Sequence, residues 1–424
     1  MKSGKFSCSL RLLALAASIS SAAFGAAQAK DVTVWCWDPN FNIPIMEEAA
    51  RRYEAKHPDI NIVVENYANG DVQQKLLASL AANFTEGLPD IVLMEDYWGQ
   101  KYLQSFPGAF AALSDSVDLS GFAPYKVKAA TLDGKVYAMP FDSGVAGLFY
   151  RRDYLEQAGF KPEDLKDITW DRYIEIGQQV LAKTGKKMLG IDPQDAGFLR
   201  IMMQSTGHWY YDDAGNLTIE DNAQLKATLE AYKALVNAGI SKPTAGWAEW
   251  TASFNNGDVA SVITGVWIVG TIKSAPDQAG KWAIAPIPKL QVEGASNASN
   301  NGGSSWYVVN GAAEQAEAID FLNEIYAKDV DFYQTILQKY GAVGSLLAAR
   351  EGPAYSTPDA FFGNDPIWQT FGSWMAKIPV VNFGSSTLEV EASINAEVPP
   401  LLAGTPVDDV LKAIKAQTDT RIQQ

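Results

Sequence analysis

The sequence predicts an α/β protein of two domains, and three observations carry that expectation. Short β-branched runs alternate with amphipathic stretches, as parallel strands joined by helical crossovers require. The chain has 424 residues, enough for two domains with separate cores at roughly 100–200 residues each. It is 47% hydrophobic and 20% charged, too apolar for a disordered chain.

The first expected strand is the β-branched run 32–37. The first helix is 45–56, where Ile45, Ala49, Ala50 and Tyr53 fall near helical spacing and Pro58 provides a stop. A second strand at 60–65 and a second helix at 72–84 follow, and Leu88-Pro89-Asp90 introduces a buried strand at 91–94. This β-α-β-α-β opening has no G-x-G-x-x-G at its first turn, and G-x-x-x-x-G-K-[ST] occurs nowhere, so no phosphate-bearing cofactor is expected. Pro140 and Gly144 bracket a change of course before an apolar strand at 144–150. Helical patterns at 169–184 and 224–238 flank a turn-rich stretch at 211–217, and 254–267 reads as a helix end, a turn and a buried strand. Residues 291–305, the stretch richest in Gly, Ser and Asn, read as a loop or a crossover between lobes.

Composition removes several function classes. At a formal charge of −15 the molecule's field repels a phosphate backbone or an anionic membrane, so nucleic acid is not an expected partner. Two histidines, His57 and His208, and two cysteines, Cys8 and Cys36, leave no material for a zinc site, a disulfide framework or a His-dependent triad. No cofactor and no metal are expected. Residues 1–29 read as a secretory signal peptide: basic Lys2, Lys5 and Arg11, an apolar run at 12–24, and Ala27-Gln28-Ala29 for cleavage before Lys30. The alternative, a membrane anchor, needs ~20 apolar residues, and Cys8 precedes the apolar core, the wrong place for lipid attachment. A soluble periplasmic product is expected. Cleavage takes three basic and no acidic residues from the −15 chain, leaving −18, and leaves Cys36 alone. With no Lys, Arg or His adjacent, Cys36 reads as a small buried hydrophobe, not a reactive thiol.

Aromatic residues are in surplus, with 12 Trp, 17 Tyr and 18 Phe, and several tryptophans stand at expected strand ends. Trp37-Asp38 ends the first strand, Glu95-Asp96-Tyr97-Trp98 the third, and Trp267 follows Gly265. Ligands of open α/β sheets lie beyond the carboxyl ends of strands, so these segments are candidates to line one crevice. A sugar ring has an apolar C–H face and a rim of hydroxyls, which suits a flat aromatic surface beside planar acceptors. Trp35 and Trp282 sit inside apolar runs and are assigned to the core. Trp37, Trp247, Trp250 and Trp267 adjoin turns and are the stacking candidates, with packing between subdomains as the other reading. The carboxylates Glu95, Asp96 and Asp142 leave two readings open: acceptors for a bound sugar, or the acid/base pair of a secreted glycoside hydrolase, which needs its carboxyls ~5–10 Å apart. A cation binder is a third, since ring faces attract ammonium groups.

Further segments join these: Leu88 to Ile91, Gly134 to Pro140, Leu148 to Leu155, Thr169-Trp170-Asp171, Phe254 to Ala260 with Gly265 to Trp267, Ile284 to Pro288, and Gly302 to Trp306. In this order and spacing, behind a signal peptide, the sequence resembles the family 1 extracellular solute-binding proteins of ABC importers over essentially the whole mature chain. The segments 35–42 and 96–107 look most like the lactose-type and related oligosaccharide-binding members.

The resemblance implies a periplasmic-binding-protein type II fold, two α/β lobes joined by a multi-crossover hinge around a ligand cleft. It places lobe 1 at 30–140 and 301–345, lobe 2 at 141–300 and 346–424, with crossings near 140–144, 301–303 and 341–350. It implies no catalysis, but capture of a carbohydrate, a disaccharide or small oligosaccharide such as a galactoside, for delivery to permease subunits in the inner membrane by a monomer. Carried over position by position, Trp267 matches a stacking tryptophan, Asp96 and Tyr97 the polar pair after the third strand, and Trp37, Asp38 and Asn42 the loop after the first. Asp142 and Ser143 match a hinge-side polar loop, Gly302 and Gly303 a crossover whose backbone approaches the ligand, and Trp247 and Trp250 further aromatics. Arg151-Arg152 replaces an Asn-Lys pair common in the family, at a position expected outside the cleft.

Overall fold

A computed structural model describes residues 29–212 and 214–423. The expected signal peptide, Ala29 apart, lies outside the described residues, and Cys8 with it. The strands are β1 (Lys30–Cys36), β2 (Ile60–Asn66), β3 (Ile91–Glu95), β4 (Thr131–Leu132), β5 (Lys135–Val136), β6 (Ala138–Pro140), β7 (Ala146–Arg151), β8 (Leu189–Ile191), β9 (Ser241–Pro243), β10 (Ser261–Gly265), β11 (Trp282–Ala285) and β12 (Ser304–Val308). They form a five-stranded sheet in the order β2-β1-β3-β12-β6, a three-stranded sheet β10-β7-β11, and the pairs β4-β5 and β8-β9.

Only part of the expected parallel arrangement is present. β1 runs parallel to β2 and β3, each reached through a helix, α1 (Asn42–Glu54) and α2 (Asn69–Ala81). β12 is antiparallel to both β3 and β6, and the second sheet is antiparallel throughout. The reason is connectivity: β12 enters the first sheet from the second one without a helical crossover, so nothing turns it to run with β3.

Both sheets are covered on both faces, which is why their strands read as unbroken apolar runs. Val32, Val34, Ile91, Leu93, Trp306 and Val308 face one core, and Trp35, Val92, Met94 and Tyr307, one residue out of phase, face another. In β7, Ala146, Leu148 and Tyr150 face a further core, while Phe149 packs on Phe371 of the helix Ile367–Met375 with ring centroids 5.5 Å apart. Trp35 and Trp282 are buried, as is Cys36, whose thiol burial pushes up to about 12.

Two boundaries differ from the expectation, and both shape the cleft. β1 ends at Cys36, not at Trp37, because Asp38 adopts a left-handed conformation (φ 67°) and its carbonyl accepts from the amides of Phe41 and Ile43. That turn starts α1 at Asn42, three residues before the expected start. α1 also stops at Glu54, where the amides of Lys56 and His57 both donate to the Tyr53 carbonyl, so Pro58 is not what ends it.

Three strands of chain run side by side between the two sheets. The Ala146 amide donates to the Ser299 carbonyl (2.9 Å) and the Asn301 amide to the Gly144 carbonyl (2.8 Å). On the other side, the Ser143 amide donates to Val343 and the Ser345 amide to Phe141, each at 2.8 Å. Among the described residues no helix is long and apolar enough to cross a membrane.

Candidate functional site

A cleft of about 570 Å³ opens at the carboxyl ends of β1 and β3, beside these three segments. Trp37, Asp38, Asn40, Phe41 and Asn42 reach it because the Asp38 turn projects the start of α1 past the end of β1. Glu95 and Tyr97 come from the junction of β3 with the helix α3 (Asp96–Ser105), and Asp142 and the 301–304 segment form the floor. Trp247, Trp267, Asp195 and Arg200 complete the lining.

One wall is aromatic. Trp247, 57% exposed, is tilted by 32° against Trp267 at 6.0 Å and lies 5.5 Å from Trp250. So large an apolar ring left in water at a cleft marks a surface shaped for contact. The Trp267 Nε1 donates to the Asn301 carbonyl at 2.8 Å, which fixes the indole plane against the crossover. Trp250 sits behind the other two, packed edge-on against Phe254, and lines a smaller cavity with Asp195 and Thr264.

Carboxylates also line the cleft. Asp38 is exposed and spends one carboxylate oxygen on the Asn40 amide (2.9 Å). Asp142 is buried, and its Oδ1 accepts the Ser304 amide at 2.7 Å. Burial raises the Asp142 carboxyl to about 6, with the Lys126 ammonium and the Ser304 amide pulling it down and Asp96 adding to the rise. Gly302 and Gly303, at φ 91° and 89°, carry the backbone along this floor. A Cβ on Gly303 would stand 3.0 Å from the Asp142 carbonyl and 3.2 Å from an Asp96 carboxylate oxygen, so only glycine lets these segments approach.

Two expected cleft residues line neither it nor the smaller cavity beside it. Asp96 is 2% exposed, and its carboxylate accepts from Lys126 Nζ (2.6 Å) and Ser305 Oγ (2.8 Å). Lys126, in the short helix α4 (Pro124–Ala129), is itself fully buried and also donates to the Ser304 carbonyl, so the pair braces β12 under the cleft. Ser143 is buried against the Tyr125 hydroxyl at 2.5 Å. The remaining ten expected residues converge, nine of them on the main cleft and Trp250 on the cavity behind it.

Among the lining residues that sequence reasoning missed, Asp195 included, is Arg200. It accounts for the cleft's guanidinium, lies 4.0 Å over the Tyr97 ring, and is held by both oxygens of Glu391 at 2.7 and 2.5 Å. It stands in the helix Gly197–Gln204 among buried Leu199, Ile201, Met202 and Met203, and a lone charge inside an apolar helical run was the available signal. The contact ties two helices together at one rim, since Tyr97 belongs to α3 and Glu391 to the helix Thr387–Leu402. Lys101 of α3 and Glu389 of that helix form a second ion pair at the same rim.

The profile of the family described as bacterial extracellular solute-binding protein matches residues 48–363. This chain belongs to that family. Its relatives include a lactose-binding protein of Rhizobium radiobacter, 59% identical over 419 residues, 99% of this chain and 98% of that one. Among solved structures, an extracellular solute-binding protein of family 1 superposes with a TM-score of 0.79 at 22% identity, covering 92% of this chain and 99% of that one. The sugar-binding protein MalE of Xanthomonas citri gives 0.77 at 18% identity, over 93% and 98%. These two establish the type II periplasmic-binding-protein fold. The family is one of binding proteins, not enzymes, and the glycoside-hydrolase alternative fails with it. Asp96, one of the three carboxylates from which that reading drew its pair, is already committed to Lys126.

Proposed function

We propose that this solute-binding protein captures a disaccharide or small oligosaccharide of the galactoside class in the periplasm and hands it to the permease of an ABC importer. The carrying observation is that adjoining Trp247 and Trp267 line one cleft together with Asp38, Asp142 and Glu95. Rings stack on the C–H faces of a pyranose while carboxylates accept its paired hydroxyl donors, which reads both surfaces of a neutral sugar. Kinship with a lactose-binding protein at 59% identity supports the galactoside assignment. A volume of about 570 Å³ lies within the usual 300–1,000 Å³ of small-molecule sites.

In this reading the ligand-contacting set is Trp37, Asp38, Asn42, Tyr97, Asp142, Trp247, Trp267, Gly302 and Gly303, with Glu95 and Arg200 added. Trp250 buttresses the stack, and Asp96 and Ser143 hold the floor. The lobes, divided at the segments 141–145, 299–303 and 343–346, swing on that three-stranded hinge. Sugar contacts made by both lobes favour the closed form, which is the form the permease recognises. The protein acts as a monomer.

Calorimetric titration of the purified protein with lactose tests this. One site, with lactose recovered intact, is expected. The reading is overturned by absence of binding across galactosides, or by a charged amine that binds where neutral sugars do not.

A further inference from the structure

Far from the cleft, the fold gathers three metal-ligating side chains. His57 follows the C-terminus of α1, and Asp320 and Glu324 lie four residues apart on the helix Gln315–Leu322 and the π-helix Asn323–Lys328 that continues it. The His57 Nε2 is 2.8 Å from Glu324 Oε2, and one potential ligand atom from each of the three residues lies within 4.8 Å of the others. All three are oriented. The His57 ring stacks on Tyr53 at 4.1 Å and 22°, and the Tyr53 hydroxyl donates to Asp320 Oδ2 at 2.8 Å, so one tyrosine sets both ligands. The π-helix begins immediately before Glu324, a local widening frequent at functional sites.

From this geometry, and against the expectation from composition that no metal is held, we propose a surface site for a divalent transition-metal ion, zinc fitting best, held by His57 Nε2, one Asp320 oxygen and one Glu324 oxygen, with water completing the shell. One imidazole and two carboxylates suit zinc's four-coordinate N/O preference, whereas calcium and magnesium require more oxygen ligands. Two carboxylates and a neutral imidazole balance the ion's charge. The competing cation is Lys56, whose ammonium sits 2.6 Å from Glu324 Oε1 on a largely exposed side chain. It can leave for solvent when the metal arrives. The bound ion clips α1 to a segment more than 260 residues away, so metal binds the folded chain in preference to the unfolded one and raises its melting temperature.

The test is calorimetry and thermal melting of untagged, chelator-stripped protein with Zn²⁺ or Mg²⁺. Zn²⁺ is expected to bind at one site and raise the melting temperature. His57→Gln, which keeps a neutral hydrogen-bonding side chain, and Asp320→Asn are expected to abolish both effects. His208→Ala leaves them unchanged, and Lys56→Met, which keeps all three ligands, binds Zn²⁺ more tightly than wild type. Absence of saturable Zn²⁺ binding, binding that survives His57→Gln or is lost with His208, an equal response to Mg²⁺, or no tightening in Lys56→Met each overturns the proposal. Lactose titration of every variant verifies that it is folded, and Lys56→Met remains decisive if a ligand variant is not.

Discussion

Trp247 and Trp267 share the aromatic wall but differ in what else they do. Trp247 is 57% exposed, so Trp247→Ala is expected to leave the melting temperature nearly unchanged, within the about 0.5 kcal/mol usual for surface changes. Its sugar affinity should fall by about tenfold or more, equivalent to ~1.4 kcal/mol of lost stacking. Trp267 also holds Asn301 through its Nε1, so Trp267→Ala should lower both affinity and melting temperature, and Trp267→Phe chiefly the latter. Parallel calorimetry and melting of the three variants check this. Asp142 gives the pH prediction. Its folded value of about 6 lies above the ~3.9 of an unfolded aspartate, so the folded chain holds this proton more tightly. Its stabilising contribution is fully present below about pH 4 and is lost as pH rises through about 6. Asp142→Asn keeps an acceptor for the Ser304 amide and removes that loss, so its melting temperature should exceed wild type at pH 7.5 by more than at pH 4.5. Sugar affinity runs the other way in wild type: it weakens as pH falls through about 6, because a protonated Asp142 is a poorer acceptor, and Asp142→Asn flattens that profile.

At the scale of elements, α3 does two jobs. Its N-terminal end supplies Tyr97 to the cleft, and its next turn supplies Lys101 to the ion pair with Glu389 of the helix Thr387–Leu402. In the proposed closure the ion pair forms only when the lobes meet at this rim. Lys101→Met and Glu389→Gln are therefore expected to speed ligand release a few-fold with little change in association rate, since a partly exposed ion pair contributes up to about 1 kcal/mol. Stopped-flow release of a bound galactoside reads this directly, and an unchanged release rate would remove the rim from the closure mechanism. Much of this scale was legible from sequence. The alternation of β-branched and amphipathic runs located β1, β2, β3, α1 and α2 within a few residues, and strand-end aromatics pointed to the cleft. Strand direction was not legible, because period-2 burial is the same for parallel and antiparallel neighbours.

For the whole molecule, saturation with sugar should stabilise the fold by about 2.7 kcal/mol at 100 times the dissociation constant, visible as a melting shift that Trp247→Ala reduces at fixed sugar concentration. A shift insensitive to that variant would place the ligand elsewhere. The amino-acid sequence by itself determined the α/β class, the membership of a binding-protein family and the tryptophans at strand ends, because these depend on local periodicity and on residues adjacent in the chain. Only the tertiary structure decided which carboxylate faces the cleft. Asp96 and Asp142 are alike in sequence, yet a buried Lys126 sits against one and the Ser304 amide against the other. Arg200 with Glu391, and His57 with Asp320 and Glu324, are likewise products of packing between segments some 190 and 260 residues apart. The energy that selects such partners is desolvation of a charge in a particular buried place, and no stretch of sequence records where that place is.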